Sequence, residues 1–554
     1  MVDLSKSGSK VESDRVGRVS LPPADYVLEL LKLDADALKL IEPPSKRHQY
    51  RAVINWVTNY KCPPEVNEKL DVVKGYLEAF YHLCEVEDWE RAKEILNIKV
   101  PPVDENLDTQ LRSWGYYEEC IQLYGRLLGK LDKGWDGICL NCLGIAYSFL
   151  GEYHKAIEYF QQSLQIAREI GDLSTEGKAL GNLGITYHSL GEYDKAIEYH
   201  QQDLQIAREI GDRSGEGIAL GSLGNVYDFL GEYHKAMEYY QQSLQIAREI
   251  GDRSGEGRAL GNLGNVYYSL GEYHKAIEYH QQHLQIAREI GNRSGEAAAL
   301  GSLGNVYDSL GEYHKAMEYY QQSLQIAREI GDLSTEGKAL GSLGLAYYSL
   351  GEYHKAIEYL QQDLQIAREI GDRSGEGGAL GNLGITYHSL GEYDKAIEYF
   401  QQDLQIAREI GNRSGEGIAL GNLGISYSSL GKHNKAIEYH QQYLQIAREI
   451  GNRSGEGIAL LNWGETLLKL EKYAKSLQYS QAALEIFHQI GKRHYQAMVL
   501  QNIAETNQHL GNLDAARQYC DEALAIFTEL GVPELKECQE LREEIQKLKV
   551  KSQK

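Results

Sequence analysis

The apolar positions of this chain repeat with two nested periods. Within 254–290, Leu260, Leu263, Tyr267 and Leu270 fall at i, i+3, i+7 and i+10, one face of a 3.6-residue helix. Ala276, Ile277, His280, Leu284, Ala287 and Ile290 draw a second stripe of the same kind. The spacing predicts two amphipathic helices, about 254–270 and 273–290. Gly271 stands between them, where a left-handed residue commonly ends a helix. The longer period is 40 residues: close copies of "LGNLGNVYYSLGEYHKAIEYHQQ" (260–282) recur at that step through most of the chain.

The words "GDRSG" and "GNRSG" separate the units, so Ser254 is the expected N-cap, with Glu256 complementing the helix start. Gly264 lies inside the first helix, where glycine costs about 1 kcal/mol against alanine. A cost repeated in every unit calls for a packing reason. The expected one is close approach of the paired helix, where a side chain would not fit. One hairpin cannot bury both stripes but a stack of hairpins can, so the array is expected to be a solenoid.

The order L-x2-L-G-x2-Y, then Gly, Tyr and A-x3-aromatic, resembles the tetratricopeptide repeat (TPR) family. The matching residues are Leu260, Leu263, Gly264, Tyr267, Gly271, Tyr273, Ala276 and His280, without the usual closing proline. The 40-residue period and the words "LGNLGNVY" and "LQIAREIGDRSGEGRAL" are similar to the long-repeat subfamily named for its Leu-Gly-Asn motif, the LGN/Pins adaptors. They are also similar to bacterial, especially cyanobacterial, TPR arrays. The resemblance covers roughly residues 135–540. It implies an all-α fold, a TPR-type α-solenoid whose antiparallel helix pairs wind into a right-handed superhelix. It also implies a concave groove, lined by first helices, in which partner segments bind. The G-protein-binding motifs that follow the repeats in those adaptors have no match before Lys554, so G-protein regulation is not carried over.

The expected organisation runs from a disordered 1–20 through a helical cap at 21–65 to two degenerate units at 66–134. Eight regular units follow at 135–460, two looser ones at 461–533 and a charged capping helix at 534–554. Helical patterns in the N-terminal quarter fall at about 24–41, 46–60, 76–96 and 111–129, with Pro43-Pro44 and Pro63-Pro64 as breaks. In 76–96, Trp89 and Ala92 echo Tyr273 and Ala276, while Gly115, Tyr117 and Cys120 echo Gly271, Tyr273 and Ala276.

Composition sharpens this. The 57 glycines and 40 tyrosines, against nine prolines, fit fixed glycines and tyrosines in each unit. A net charge of −23 argues against nucleic acid as a partner, because phosphate binding needs clustered Lys and Arg. Seven scattered cysteines form no disulfide framework, which favours a reducing, cytoplasmic setting. The N-terminal stretch lacks the apolar core of a signal peptide, and no apolar run reaches the length of roughly 18 residues that a membrane span needs.

Candidate chemistry is sparse. Cys139-Leu-Asn-Cys142 has no second pair or histidine at zinc spacing and reads as small helix residues. The glycine-rich "LGNLGN" lacks the Lys-Ser/Thr ending of a phosphate loop and follows no strand. No nucleophile and base suggest an enzyme, and no cofactor or metal is expected. What varies between copies are the positions of Arg258, Asn265 and Tyr268. Along the array they include Lys178, His188, Asn225, Asp228, Asn305, Asp308, Lys338, Tyr348 and His388. These twelve are the candidate groove residues, amide and acidic at the centre and more aliphatic toward the ends. The expected function is a non-enzymatic scaffold or adaptor binding a protein or peptide segment, basic or polar at its centre. The other reading is a sensor or regulatory module of a bacterial signalling or defence effector system, docked through its N-terminal helices.

Overall fold

The computed structural model describes residues 21–34, 36–62, 69–100 and 105–552. The expected disorder of 1–20 and the Pro63-Pro64 break lie outside these residues. The described residues form 27 α-helices, one short 3-10 helix and one two-stranded sheet. The chain divides into two compact units, Met1–Ala299 and Leu300–Lys554.

The first unit opens with helices Ala24–Leu30, Pro44–Asn59, Lys69–Glu85, Trp89–Leu96, Leu107–Ser113 and Tyr117–Leu127. The pattern at 24–41 is not one helix: it stops after Leu30 and resumes as the 3-10 turn Ala37–Leu40. Lys99–Val100 pairs antiparallel with Glu105–Asn106, a hairpin that helical spacing did not anticipate. Ile98 and Val100 are buried there while Lys99 between them is exposed, a period of two. Val27, Phe80, Ile95 and Leu123 share one apolar core with Cys139, Leu143 and Ala146 of the helix Lys133–Phe149. The N-terminal helices are therefore packed onto the first regular hairpin. Three more hairpins follow at Leu173–Ser189/Tyr193–Ile210, Arg213–Phe229/Tyr233–Ile250 and Arg253–Ser269/Tyr273–Glu289.

The second unit continues the pattern to Arg493–His509/Leu513–Leu530 and ends with the helix Leu535–Ser552. Cys538 and Ile545 of that last helix are fully buried against a core that holds Ala516, Cys520 and Ala523.

Local chemistry sets the hairpin. The first helix starts at Arg253, one residue earlier than expected, and its cap lies two residues earlier. Asp252, not Ser254, is the N-cap, and its side chain accepts from the Gly255 N–H at 2.9 Å. Aspartate and serine both cap well, but the preceding Gly251, at φ +73°, delivers the chain to Asp252. Gly271, also at φ +73°, ends the first helix as expected. The second stripe differs at its end: Ile290 is 41% exposed and Ile286, at 4%, is the residue that enters the core.

Across the joints between regular hairpins runs a repeated Arg–Glu ion pair, extended by a second arginine except where Leu173 and Leu333 open the first helix. Arg248 Nε meets Glu256 Oε1 at 2.8 Å, and Arg253 of the same first helix reaches both Glu256 and Glu289. Glu256 is buried; a buried carboxylate persists only when paired in this way. Inside each regular hairpin a tyrosine from each helix stacks on the other, as Tyr267 does on Tyr279 with centroids 5.2 Å apart. Lys275 Nζ lies 5.0 Å from the Tyr267 ring centroid, a cation–π contact.

The glycine inside the first helix has the cause expected of it. A Cβ on Gly264 would lie 2.6 Å from the His280 ring, and one on Gly224 would lie 2.5 Å from Tyr240. Gly144, Gly184, Gly304, Gly384 and Gly424 face Phe160, His200, Tyr320, Phe400 and His440 in the same way. Tyr240 is 1% exposed, so its ring has nowhere to move. Gly224→Ala is therefore expected to destabilise by about 1–3 kcal/mol through overpacking. Gly221→Ala, whose Cβ would meet only Ser243 Oγ at 3.6 Å, should be neutral or stabilising by up to about 1 kcal/mol. Urea midpoints followed by far-UV circular dichroism separate the two; equal losses would refute the ring-contact explanation.

Candidate partner-binding face

The first helices present an outward row at the positions of Arg258 and Asn265, with Gly261 buried between them. In the first unit Lys178, Arg258, Asn225 and Asn265 are exposed there, with Ile185 and Ile218 each 52% exposed. In the second unit Asn305 and Lys338 are exposed, and Leu345, Ile385, Ile418 and Ile425 supply the apolar members. Ile138, Ile145, Lys178, Ile185 and Ile218 line one groove of about 550 Å³ within the first unit.

The glycines beneath this row are not open space. The second helix sends a side chain up between them. Asp203 lies 3.2 and 2.9 Å from where a Cβ would stand on Gly177 and Gly181, and His283 takes the same place under Gly261. In other copies the residue is serine, and Ser243 Oγ donates to the Gly217 carbonyl at 2.8 Å. Burial, then the charge of Asp212, pushes the Asp203 carboxyl up to about 7. Asp363 is likewise at about 7 and Asp403, by burial, at about 6. This position was legible only as variation inside "QQDLQIA", where Ser163, Asp203, Ser243 and His283 alternate.

The candidate amides have an intramolecular task. Asn225 Oδ1 accepts from Tyr240 O–H at 2.8 Å and from Asn262 at 3.2 Å, and Asn305 Oδ1 accepts from Tyr320 O–H at 2.9 Å. The residue after the glycine thus follows the ring that covers the glycine. Tyrosine brings Asn225 and Asn305; Phe160, His200, Phe400 and His440 go with Ile145, Ile185, Ile385 and Ile425. Asn265 stands opposite His280 and departs from this rule. The amide N–H groups of Asn225 and Asn305 are left for other partners.

The Tyr268 register points along the array rather than out with Asn265. Tyr348 O–H lies 3.1 Å from Ser389 Oγ and His388 Nε2 lies 3.3 Å from Ser429 Oγ, both in the next hairpin. His188 packs edge-on against Tyr193 and Phe229. Asp228 and Asp308 are half-buried, and burial raises both carboxyls above their ordinary value. Tyr268 itself is 36% exposed and tilts onto Tyr273.

The remaining candidates are structural. Cys139 and Cys142 are buried free thiols, and burial pushes Cys139 up to about 12. Burial holds His200, His280 and His440 at about 4, so these rings are neutral over their glycines at neutral pH.

A family model of the tetratricopeptide repeat matches residues 175–249, 256–329, 335–409, 376–449 and 456–529, and a second such model matches 137–170. These matches cover more than half of the chain, which therefore belongs to the tetratricopeptide repeat family. No curated protein matches it. Solved structures similar to it include aspartyl phosphate phosphatase F from Bacillus subtilis, at 16% identity and TM-score 0.44 over 72% of this chain and 96% of that one. The apo quorum sensor NprR from B. thuringiensis is similar at 16% identity and TM-score 0.45, over 68% of this chain and 99% of that one. A signal transduction ATPase with a tetratricopeptide repeat sensor from Pyrococcus horikoshii gives 18% identity and TM-score 0.46, over 72% of this chain and 64% of that one. At these values the likenesses carry no argument about function.

The raised Asp203 sets a pH dependence. The folded state holds its proton up to about 7, so stability from this group is full below about 4 and is lost as pH rises through about 7. Asp203→Asn should therefore match the parent near pH 4 and exceed it at pH 8 by about 1–3 kcal/mol. Melting curves at the two pH values test this; a difference that does not grow with pH refutes it.

Proposed function

We propose that the chain is a non-enzymatic interaction scaffold whose first-helix faces bind a polypeptide segment. The observation that carries the reading is the exposure of isoleucines on those faces, with Ile185 and Ile218 at 52% and Ile418 at 54%. The isoleucines at second-helix ends, such as Ile250 and Ile290, recur in copy after copy as part of the repeat. Those on the first-helix face change from copy to copy, beside Lys178, Arg258 and the amides. Exposed apolar side chains grouped with polar ones mark binding surfaces, and an array of rigid helices offers such a surface with little ordering cost.

The bound segment would place apolar side chains against Ile138, Ile185 and Ile218 and hydrogen-bond acceptors against the free amide N–H groups of Asn225 and Asn265. Basic or polar residues at its centre suit Asp203 and the half-buried Asp228. The N-terminal helices serve as a cap on the first regular hairpin, a reading supported by the apolar core they share with Cys139 and Leu143. The resemblance of the 40-residue repeat to the Leu-Gly-Asn adaptors supports the scaffold role.

Affinity purification with quantitative mass spectrometry tests the face. Ile185→Ser with Ile218→Ser should deplete the captured proteins at least about tenfold, equivalent to about 1.4 kcal/mol, with helicity unchanged. Ile290→Ser, at a second-helix end, should capture as the parent does. Equal capture by all three proteins would overturn the assignment.

A further inference from the structure

The last two hairpins change the first-helix face. Where the regular units carry Ile, Leu or Asn in the register of Asn265, these carry Glu465 and Glu505. Both line a half-open cavity of about 440 Å³ bounded by the first helices Arg453–Lys469 and Arg493–His509 and by the start of the helix Leu535–Ser552. Glu537 lines it from that last helix, Glu534 from the turn just before it, and Glu471 from the turn after the helix Arg453–Lys469. Glu471 holds φ +57° at a turn where the preceding regular units place glycine. Against these five carboxylates the lining holds one lysine, Lys469, and His509. Leu468, Met498 and Tyr473 give the cavity an apolar wall.

The acids are short of partners. The Glu465 carboxyl is crowded by surrounding side chains and raised above its ordinary value by that burial; Lys469 opposes the rise and Glu505 adds to it. It faces the cavity, and among the described residues no hydrogen bond or ion pair meets it. Glu534 Oε1 stands 3.5 Å from His494 Nε2, while its Oε2 is buried with no hydrogen-bond partner. A half-open space with five carboxylates and an apolar wall has only Lys469 as a fixed counter-charge among its lining residues, and a cation on an apolar stem would match both halves.

We propose that this cavity binds the side chain of an arginine or lysine in a partner segment. The inference rests on the reading that first-helix faces bind such a segment. The guanidinium or ammonium would sit between Glu465 and Glu505, near Glu534, with its methylene stem along Leu468 and Met498. A guanidinium suits the site best, because its planar donors can serve two carboxylates at once. The site lies in the second compact unit, apart from the groove at Ile185 and Ile218.

Calorimetric titration of the full chain with N-acetyl-leucyl-arginine amide tests this. N-acetyl-leucyl-citrulline amide serves as the neutral isostere and spermidine as a free polyamine. The arginine compound is expected to bind with Kd below about 1 mM, at least about tenfold tighter than the citrulline compound. Its affinity should fall as salt rises. Glu465→Gln with Glu505→Gln should abolish the preference; if that variant unfolds, Glu505→Gln alone should reduce it at least about threefold. Equal binding of the arginine and citrulline compounds, or a preference that survives in the variant, overturns the proposal. Spermidine binding more tightly than the arginine compound overturns the peptide assignment in favour of a free polyamine. Ile185→Ser with Ile218→Ser should leave these titrations unchanged. A failure of the isoleucine face and a failure of the acidic cavity therefore read out separately.

Discussion

The contact between a second-helix side chain and a first-helix glycine is the constraint on which the rest of the structure depends. With the ring of Tyr240 at the place where a Gly224 Cβ would be, the two helices of a hairpin can only pack at one distance and one register. That register then puts Tyr227 on Tyr239, and Tyr240 in one core with Leu260 and Leu263. The covering residue can be Phe160, His200, Tyr240 or Leu360, because the pocket over a glycine is defined by the absence of an atom rather than by a specific partner. Within the regular units the glycine itself has no such latitude, and where Ala504 replaces it the opposite residue is the small Cys520. An energetic weakness of the isolated helix, about 1 kcal/mol per glycine, becomes the condition for a buried ring in the assembled pair.

The same contact reaches the outer face. A phenol over the glycine brings a hydroxyl that needs an acceptor, and Asn225 and Asn305 provide one. A phenylalanine brings none, and an isoleucine stands in the asparagine's place. Part of the face's chemistry is thus written from inside the hairpin. What is not so determined, Lys178, Ile218, Arg258 and Lys338, carries the stronger claim to have been shaped by a partner.

Helix spans, the glycine turn at Gly271 and the reason for Gly264 were legible because each depends on residues close in sequence or on a period. The cap at Asp252 was misread as Ser254: both residues are good caps, and only the left-handed Gly251 decides between them. Ile290 was placed in the core because the second stripe was drawn straight, whereas the contacts turn to Ile286, which packs with Leu260 and Leu263 of the first helix. The Asn225–Tyr240 bond joins residues 15 apart on two helices, and no single-helix pattern reports it. Asp203 and the Glu465 cavity escaped for the same reason. Each depends on which side chains a neighbouring helix brings, and there the repeat is least regular.

One Arg–Glu pair recurs at successive joints: Arg208 with Glu216, Arg248 with Glu256 and Arg288 with Glu296 in the first unit. Arg368 with Glu376, Arg408 with Glu416 and Arg448 with Glu456 repeat it in the second. A joint of constant chemistry is indifferent to which copy lies on either side. An in-frame duplication or loss of one 40-residue segment of the gene would therefore give a longer or shorter array with no new interface to invent. The near-identity of the copies beginning at Gly221 and Gly301 is what recent growth by that route would leave behind. For this molecule, the length of the exposed first-helix face is a quantity that recombination can adjust in a single step.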